Sequence, residues 1–392
     1  MARDSGKRGL VRGWGTCLGC HGSPGHDKVH LRLLFQGKMG PAIASYSEAL
    51  PHSGKEGYTG SRKLTHKGKK RLACVSLGRG IGMIIDSHVH LIGEGWMNRS
   101  LAIGIGRLAA AAMGKTTGNY PDPEGLVASM TLTMTDPTGE KLVALMDRAG
   151  VDKSVIFAAD LGLCTGEPEV RIQEQNRIIA EAARRFPDRL VPFFAIDPRR
   201  TKAMNMFRLA VEDWGMRGLK LHTVTGYYPH DRVAYPFYEK CMEYGIPVIF
   251  HTGSTCAPMK SRFAQPIHLD DVAADFPDLP IVMAHVAQEM WEEAITIARM
   301  KTNVYFDISG WQATAVNRPQ VFYRMLRELL DEVGPWRVFF ASDGPFSELA
   351  CPLDRWVKAL TKPDLSSCPE VALAPDEIEI VMGKAFARLL KL

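Results

Sequence analysis

The chain has 392 residues, 46% of them hydrophobic and 23% charged, with a formal net charge of +5. That length is enough for one large single-core domain. The longest apolar stretch, LAIGIGRLAAAAMG at 101–114, is too short for a membrane span and is broken by Arg107, and the cysteines beyond residue 82 show no paired spacing. These features exclude a membrane protein and a disulfide framework, and they point to free thiols in a reducing cytoplasm.

The charge is unevenly placed. Residues 1–82 hold 15 Lys or Arg against 4 Asp or Glu, whereas residues 83–392 hold 33 against 39, so the basic character belongs to the first segment alone. That segment contains Thr16-Cys17-Leu18-Gly19-Cys20-His21, the C-x-x-C-H spacing of c-type haem attachment. Such attachment needs an exported chain, yet MARDSGKRGLVRGWG offers no apolar run, and residues 22–82 lack sustained periodicity. No haem is expected. A zinc finger from Cys17, Cys20, His26 and His30 fails on spacing, because five residues separate the Cys pair from the first His where about twelve are needed. Two readings of residues 1–82 remain. One is a disordered basic arm whose KLTHKGKKR run, 63–71, meets nucleic acid or acts in targeting. The other, which is the expectation here, is leader sequence translated from a misassigned start. Met83 stands directly before a clean strand, and Gly78-Arg79-Gly80 fits purine-rich codons upstream of it. No nucleic-acid partner follows from that reading.

From Met83 onward, β-rich runs alternate with amphipathic helical stretches, as in parallel βα units. Eight strands are predicted: MIIDSHVHL (83–91), KSVIFAAD (153–160), LVPFFAID (190–197), GLKLHT (218–223), PVIFHTG (247–253), PIVMAHV (280–286), NVYFDISG (303–310) and RVFFASDG (337–344). Helices are predicted over 171–186, 206–215, 235–245 and 321–334, several ending in Gly. Residues 92–140 form a long insertion with clustered Gly, Met and Thr. Gly104, Gly106 and Ala109 within it imitate a dinucleotide fingerprint, but no suitable strand leads in, and they read as helix and loop residues.

Eight such units close most economically into a (β/α)₈ TIM barrel, with an open doubly wound sheet as the alternative. The placement of ionisable residues favours the barrel. Residues two apart share a strand face, so Asp86, His88 and His90 point together, as do Lys220 and His222. His251, His285 and Asp343 also fall at strand ends. A closed barrel converges these on its axis, whereas an open sheet spreads them apart. Several imidazoles with a carboxylate suit Zn²⁺ or a similar divalent ion.

The ordered set DSHVHL, GIPVIFHTG, FPDLPIVMAHV, NVYFDISG, FASDGP and the terminal MGKAFARLL resembles the amidohydrolase superfamily. The likeness is to its amidohydrolase-related branch of metal-dependent hydrolases and of decarboxylases such as aminocarboxymuconate semialdehyde and γ-resorcylate decarboxylases. It covers nearly all of 83–392. The resemblance implies one metal ion, Zn²⁺ with Mn²⁺ as the alternative, held by His88, His90, His251 and Asp343, with His285 as acid or base. Asp343 would then be both ligand and proton acceptor. Lys220 stands where some superfamily members carry a carboxylated Lys bridging two metals. Its simpler reading is a barrel-lining residue that orients substrate or pairs with Asp197 or Asp86, which leaves one metal. His222 would contact substrate or a second ion. Arg99, Arg107 and Arg262 are candidates to grip a substrate carboxylate.

Two activities use the same ligands. The expected one is hydrolysis of a small ester, lactone or amide by metal-activated water; the alternative is non-oxidative decarboxylation or hydration of a small carboxylic acid. A third reading, a binding module, places the activity in residues 1–82. A homo-oligomer is compatible with any of these. A chain beginning at Met83 is expected to fold and to retain all metal binding, as measured by circular dichroism and metal analysis. Loss of either would show that residues 1–82 belong to the working protein.

Overall fold

The computed structural model describes residues 82–392. The basic segment, its C-x-x-C-H and its tail or leader assignment lie outside the described residues.

The eight expected strands form: β1 (Ile85–His90), β2 (Lys153–Phe157), β3 in two pieces (Leu190–Pro192 and Phe194–Ala195), β4 (Leu219–Leu221), β5 (Val248–Phe250), β6 (Ile281–Met283), β7 (Val304–Asp307) and β8 (Val338–Phe339). Each pairs in parallel with the next in sequence. At the break in β3, Phe193 N donates to Ile156 O and Phe194 N to Gly218 O, both at 2.9 Å, so that strand hands over from β2 to β4 without a gap. The ring closes between the ends. Ser87 N donates to Phe340 O at 3.0 Å, Asp343 N to His88 O at 2.8 Å and His90 N to Gly344 O at 2.7 Å, with a parallel bridge between Val89 and Gly344. A closed (β/α)₈ barrel results, not an open sheet.

The helices between strands follow from amphipathic spacing. In Pro319–Val333 the buried Phe322, Leu326, Leu329, Leu330 and Val333 recur at helical intervals on one face. Ile172–Arg185, Ala203–Glu212 and Tyr235–Tyr244 match the expected helices to within a turn. The observed strands are shorter than the apolar runs that announced them. Past the last paired residue those runs bend into the rim, where the chemistry sits.

The interior of the barrel is apolar at the end away from the rim. Ile85, Val155, Phe193, Ile249, Val282 and Phe339 pack together with Ala385, Phe386 and Leu390 of the terminal helix, and Phe157 continues this cluster up to the rings of His88 and His90. Gly383 lets that helix in, since a Cβ there would stand 1.9 Å from Met83 O.

The insertion is helical. α1 (Arg99–Thr117) starts at Asn98, whose side chain accepts from Leu101 N, and stops at Gly118 in the left-handed conformation, φ 70. α2 (Pro123–Met134) is capped by Asp122 and has Pro in its first turn. Gly104 and Gly106 lie within α1 and are contact points. A Cβ on Gly104 would lie 2.2 Å from Ala257 O, and one on Gly106 would lie 2.5 Å from Pro123 O, so these glycines bring α1 onto the loop after β5 and onto α2. Among the described residues no helix is long and apolar enough to cross a membrane, and Cys164, Cys241, Cys256, Cys351 and Cys368 are free thiols.

Gly383→Ala is expected to lower the unfolding free energy by about 1–3 kcal/mol, because an overpacked methyl must displace backbone. Urea denaturation measures it; an unchanged midpoint would mean that the terminal helix is not seated as described.

Candidate active site

Three donor atoms meet at the mouth of the barrel. His88 and His90 come from the end of β1, and Asp343 follows β8 at φ 52, pinned by the bond from its N–H to His88 O. His88 Nε2 and His90 Nε2 stand 3.4 Å apart, and Asp343 Oδ1 lies 3.5 Å and 3.6 Å from them. Ligand atoms about 2.1 Å from a shared ion at tetrahedral angles stand about 3.4 Å from one another.

The protonation states fit a cation as well. Burial and the nearby Lys220 push the His88 imidazole down to about 4, against the pull of Asp307, and burial with the surrounding imidazoles and Lys220 depresses His90 well below its ordinary value. Both are therefore neutral near pH 7. Burial holds the Asp343 carboxyl up at about 8, Lys220 pulling it down and Asp307 and Asp86 pushing it up. Two imidazole lone pairs and a buried carboxyl group are the donor set a divalent ion satisfies. His90 Nδ1 and His251 Nε2 are buried with no hydrogen-bond partner.

A second carboxylate, Asp307 at the end of β7, organises the site from behind. Its Oδ2 receives His88 Nδ1–H at 2.8 Å, which fixes the tautomer and leaves His88 Nε2 free to ligate. Its Oδ1 accepts the Ser309 hydroxyl in a short contact and the His285 N–H at 3.0 Å. Ser309 Oγ in turn lies 2.8 Å from His285 Nδ1. With the hydroxyl proton directed to Asp307, Ser309 accepts from Nδ1–H, and His285 Nε2 carries the lone pair. Burial opposes ionisation of Asp307, but His88 and His285 hold its carboxyl well below the usual range. Burial and the imidazoles of His88 and His251 depress His285 well below its ordinary value.

His285 does not end a strand, as the sequence suggested. It opens a left-handed turn in which His285, Val286, Ala287 and Gln288 have φ of 63, 46, 53 and 51. Non-glycine residues there cost roughly 1–2 kcal/mol each. The turn is held by Trp311 Nε1 donating to His285 O at 2.7 Å and by the bond from His285 N–H to Asp307.

The remaining expected site residues divide. His222 and His251 line the same cavity as His90, His285 and Asp343. His251 lies outside the three-atom cluster. Its Nδ1 is 3.3 Å from His285 Nε2, and burial and Lys220 push its imidazole down to about 3. Lys220 is fully buried, with Nζ 3.3 Å from His88 Nε2 and 5.1 Å from the Phe157 ring centre, and burial lowers its ammonium to about 8. The expected pairing with Asp197 or Asp86 does not form: Asp197 binds Arg199 at 2.7 Å, and Asp86 accepts from the backbone of Ser342 and His88. Lys220 does not line the cavity and stands behind His88.

The three arginines lie apart from the cavity lining. Arg99 is 81% exposed and paired with Glu124, Arg107 is exposed, and Arg262 lies over the Phe263 ring at 4.7 Å. None lines the cavity. Arginine is common on helix surfaces, and sequence position alone does not say which way it faces. Asp307, Ser309 and Gln288 carry parts of the site that the sequence reading missed. For the first two a signal existed: Asp-x-Ser at the end of NVYFDISG has the same two-residue spacing as His-x-His.

The cavity measures about 460 Å³ and runs from these side chains to the insertion. α1 contributes Leu101, Ile105, Leu108, Ala109 and Ala112, and α2 contributes Met130.

The family model described as amidohydrolase matches residues 85–392, and the chain belongs to that family. Within it, the fold is similar to an uncharacterized TIM-barrel protein of Bordetella bronchiseptica, at 24% identity over 79% of this chain and 98% of that one, with a TM-score of 0.58. It is also similar to 5-carboxyvanillate decarboxylase from Sphingomonas paucimobilis, at 18% identity over 79% and 99% of the two chains, TM-score 0.55. A third likeness is to 5-carboxyvanillate decarboxylase from Novosphingobium aromaticivorans with bound manganese, at 16% identity over 79% and 97%, TM-score 0.56. No curated protein sequence matches the chain.

Asp307→Asn keeps the shape but loses the anion behind His88. Affinity for a divalent ion is expected to fall roughly 10- to 100-fold, read by competition with a chelating dye; unchanged affinity would remove Asp307 from the metal centre.

Proposed function

We propose that this protein is a metal-dependent carboxy-lyase that removes CO₂ from a small carboxylic acid without an oxidant. The observation that carries the reading is the surroundings of the His88, His90 and Asp343 cluster. It opens into an apolar cavity where, among the described lining residues, there is no lysine or arginine. A compact carboxylate is poorly stabilised in such a medium, whereas the spreading charge of departing CO₂ is tolerated, so desolvation there favours C–C cleavage. The decarboxylases of similar fold support the same reading, and one of them holds manganese.

One divalent ion, zinc or manganese, held by His88, His90 and Asp343, with His251 as a fourth ligand, would supply the positive charge that holds the substrate's carboxyl end. The chain's own residues do the rest. As the bond to the carboxyl carbon breaks, its electron pair stays on the substrate carbon, which takes a proton while CO₂ leaves. His285 is the group placed to deliver that proton. Its resting form is the neutral imidazole, protonated on Nδ1 and bare on Nε2, so an imidazolium formed by uptake of a solvent proton on Nε2 gives that proton up readily. Ser309 and Asp307 keep its Nδ1 side fixed during the exchange.

Hydrolysis is the second reading, favoured by the lone pair on His285 Nε2, the form that takes a proton from an attacking water. Isotopes separate the two. Manganese- and zinc-loaded protein is offered carboxyl-¹³C acids and, separately, esters and lactones in ¹⁸O-labelled water. Labelled CO₂ with solvent hydrogen at the former carboxyl carbon is expected; ¹⁸O in a product acid without CO₂ would replace the lyase with a hydrolase. His285→Asn should retain the metal while turnover falls about 100- to 10,000-fold.

A further inference from the structure

The wall opposite the metal-site side chains has one chemical character. Leu101, Ile105, Leu108, Ala109 and Ala112 follow one another at helical spacing, so a single face of α1 looks onto the cavity and is apolar along its length. Leu108 lines the cavity yet is 63% exposed, and Leu349 across the mouth is 58% exposed, so the apolar surface continues to the opening. The wall does not depend on an occupant to form. Gly104 against Ala257 O and Gly106 against Pro123 O set the height of α1 by backbone contact. The polar groups that line the cavity apart from the strand-end residues are neutral, notably Gln175, Gln288, Ser254 and Thr255.

We infer that the site takes an amphiphilic monocarboxylic acid: one carboxylate faces His88, His90 and Asp343, and an uncharged alkyl or aryl body lies under α1. This rests on the carboxylate reading proposed above. A volume of about 460 Å³ accommodates a body well beyond the carboxyl group. A second charged group on that body would be buried against leucine, isoleucine and alanine with no countercharge, and it is rejected for that reason.

The test is calorimetric binding to the full-length, manganese-loaded protein, which needs no turnover. The probes are straight-chain alkanoates from pentanoate to undecanoate, the matching α,ω-dicarboxylates and the matching 1-alkanols. Alkanoate affinity is expected to rise about fourfold per methylene until the cavity is filled, and dicarboxylates of equal length should bind about tenfold or more weakly. Ala109→Phe, with circular dichroism to confirm folding, should end the rise in affinity at shorter chains. A series flat in chain length, or dicarboxylates that bind as tightly, would overturn the inference and leave the carboxy-lyase reading standing. Alkanols that bind as tightly as alkanoates with the same length dependence would support the apolar body and overturn the carboxylate reading.

Discussion

The site depends on one buried anion. Asp307 receives a hydrogen bond from His88 on one oxygen and holds Ser309 and the His285 backbone on the other. Each contact sets the state of a group that faces the cavity: His88 presents Nε2 because Nδ1 is occupied, and His285 presents Nε2 because Ser309 occupies its Nδ1. A buried carboxylate is costly unless paired, and here the pairing is shared between a candidate ligand and a candidate proton carrier. The two functions cannot drift independently, since one side chain orients both. The strained turn from His285 to Gln288 is tolerated for the same reason, because its first residue is anchored at the N–H by Asp307 and at the carbonyl by Trp311.

The barrel supplies the convergence that this network needs. Its paired strands are short, down to two residues in β8, and the chain leaves them before reaching the functional side chains. Asp343 and His285 are therefore aimed by positive-φ backbone just past a strand, while His88 and His90 are aimed by the strand itself. The apolar end of the barrel, filled by Phe193, Phe339 and Phe386, lies beneath and fixes the strand ends relative to one another. Above them, α1 and α2 replace solvent with an apolar wall. The ionisable cluster thus lies at one end of a cavity whose α1 and α2 wall is apolar.

Much of this was legible in the sequence because it depends on short-range periodicity. Two-residue spacing put His88 and His90 on one face, apolar runs located every strand, and helical spacing located the outer helices to within a turn. The family followed from ordered motifs spread over nearly the whole domain, and the match to residues 85–392 bears that out. The insertion was harder to read. Gly104, Gly106 and Gly114 look like helix breakers in isolation, yet the first two are where α1 approaches other backbone, and a Cβ on the third would lie 2.4 Å from the Tyr120 ring.

Other features were decided by the tertiary structure alone. Side chains more than 200 positions apart, Asp307 and His88 at |i−j| of 219, meet only when the barrel closes, so no local pattern marks Asp307 as the partner that sets the tautomer. The surroundings of a surface arginine likewise depend on tertiary placement: Arg99 pairs with Glu124, Arg262 lies over the Phe263 ring, and neither they nor Arg107 line the cavity. Lys220 was placed on the correct strand face by its sequence, but its neighbours were not, because the carboxylates expected to pair with it were taken by Arg199 and by backbone N–H groups. Local spacing determined which residues reach the rim. Closure of the ring and the seating of α1 decided which of them touch, because those contacts join distant segments and have no sequence periodicity of their own.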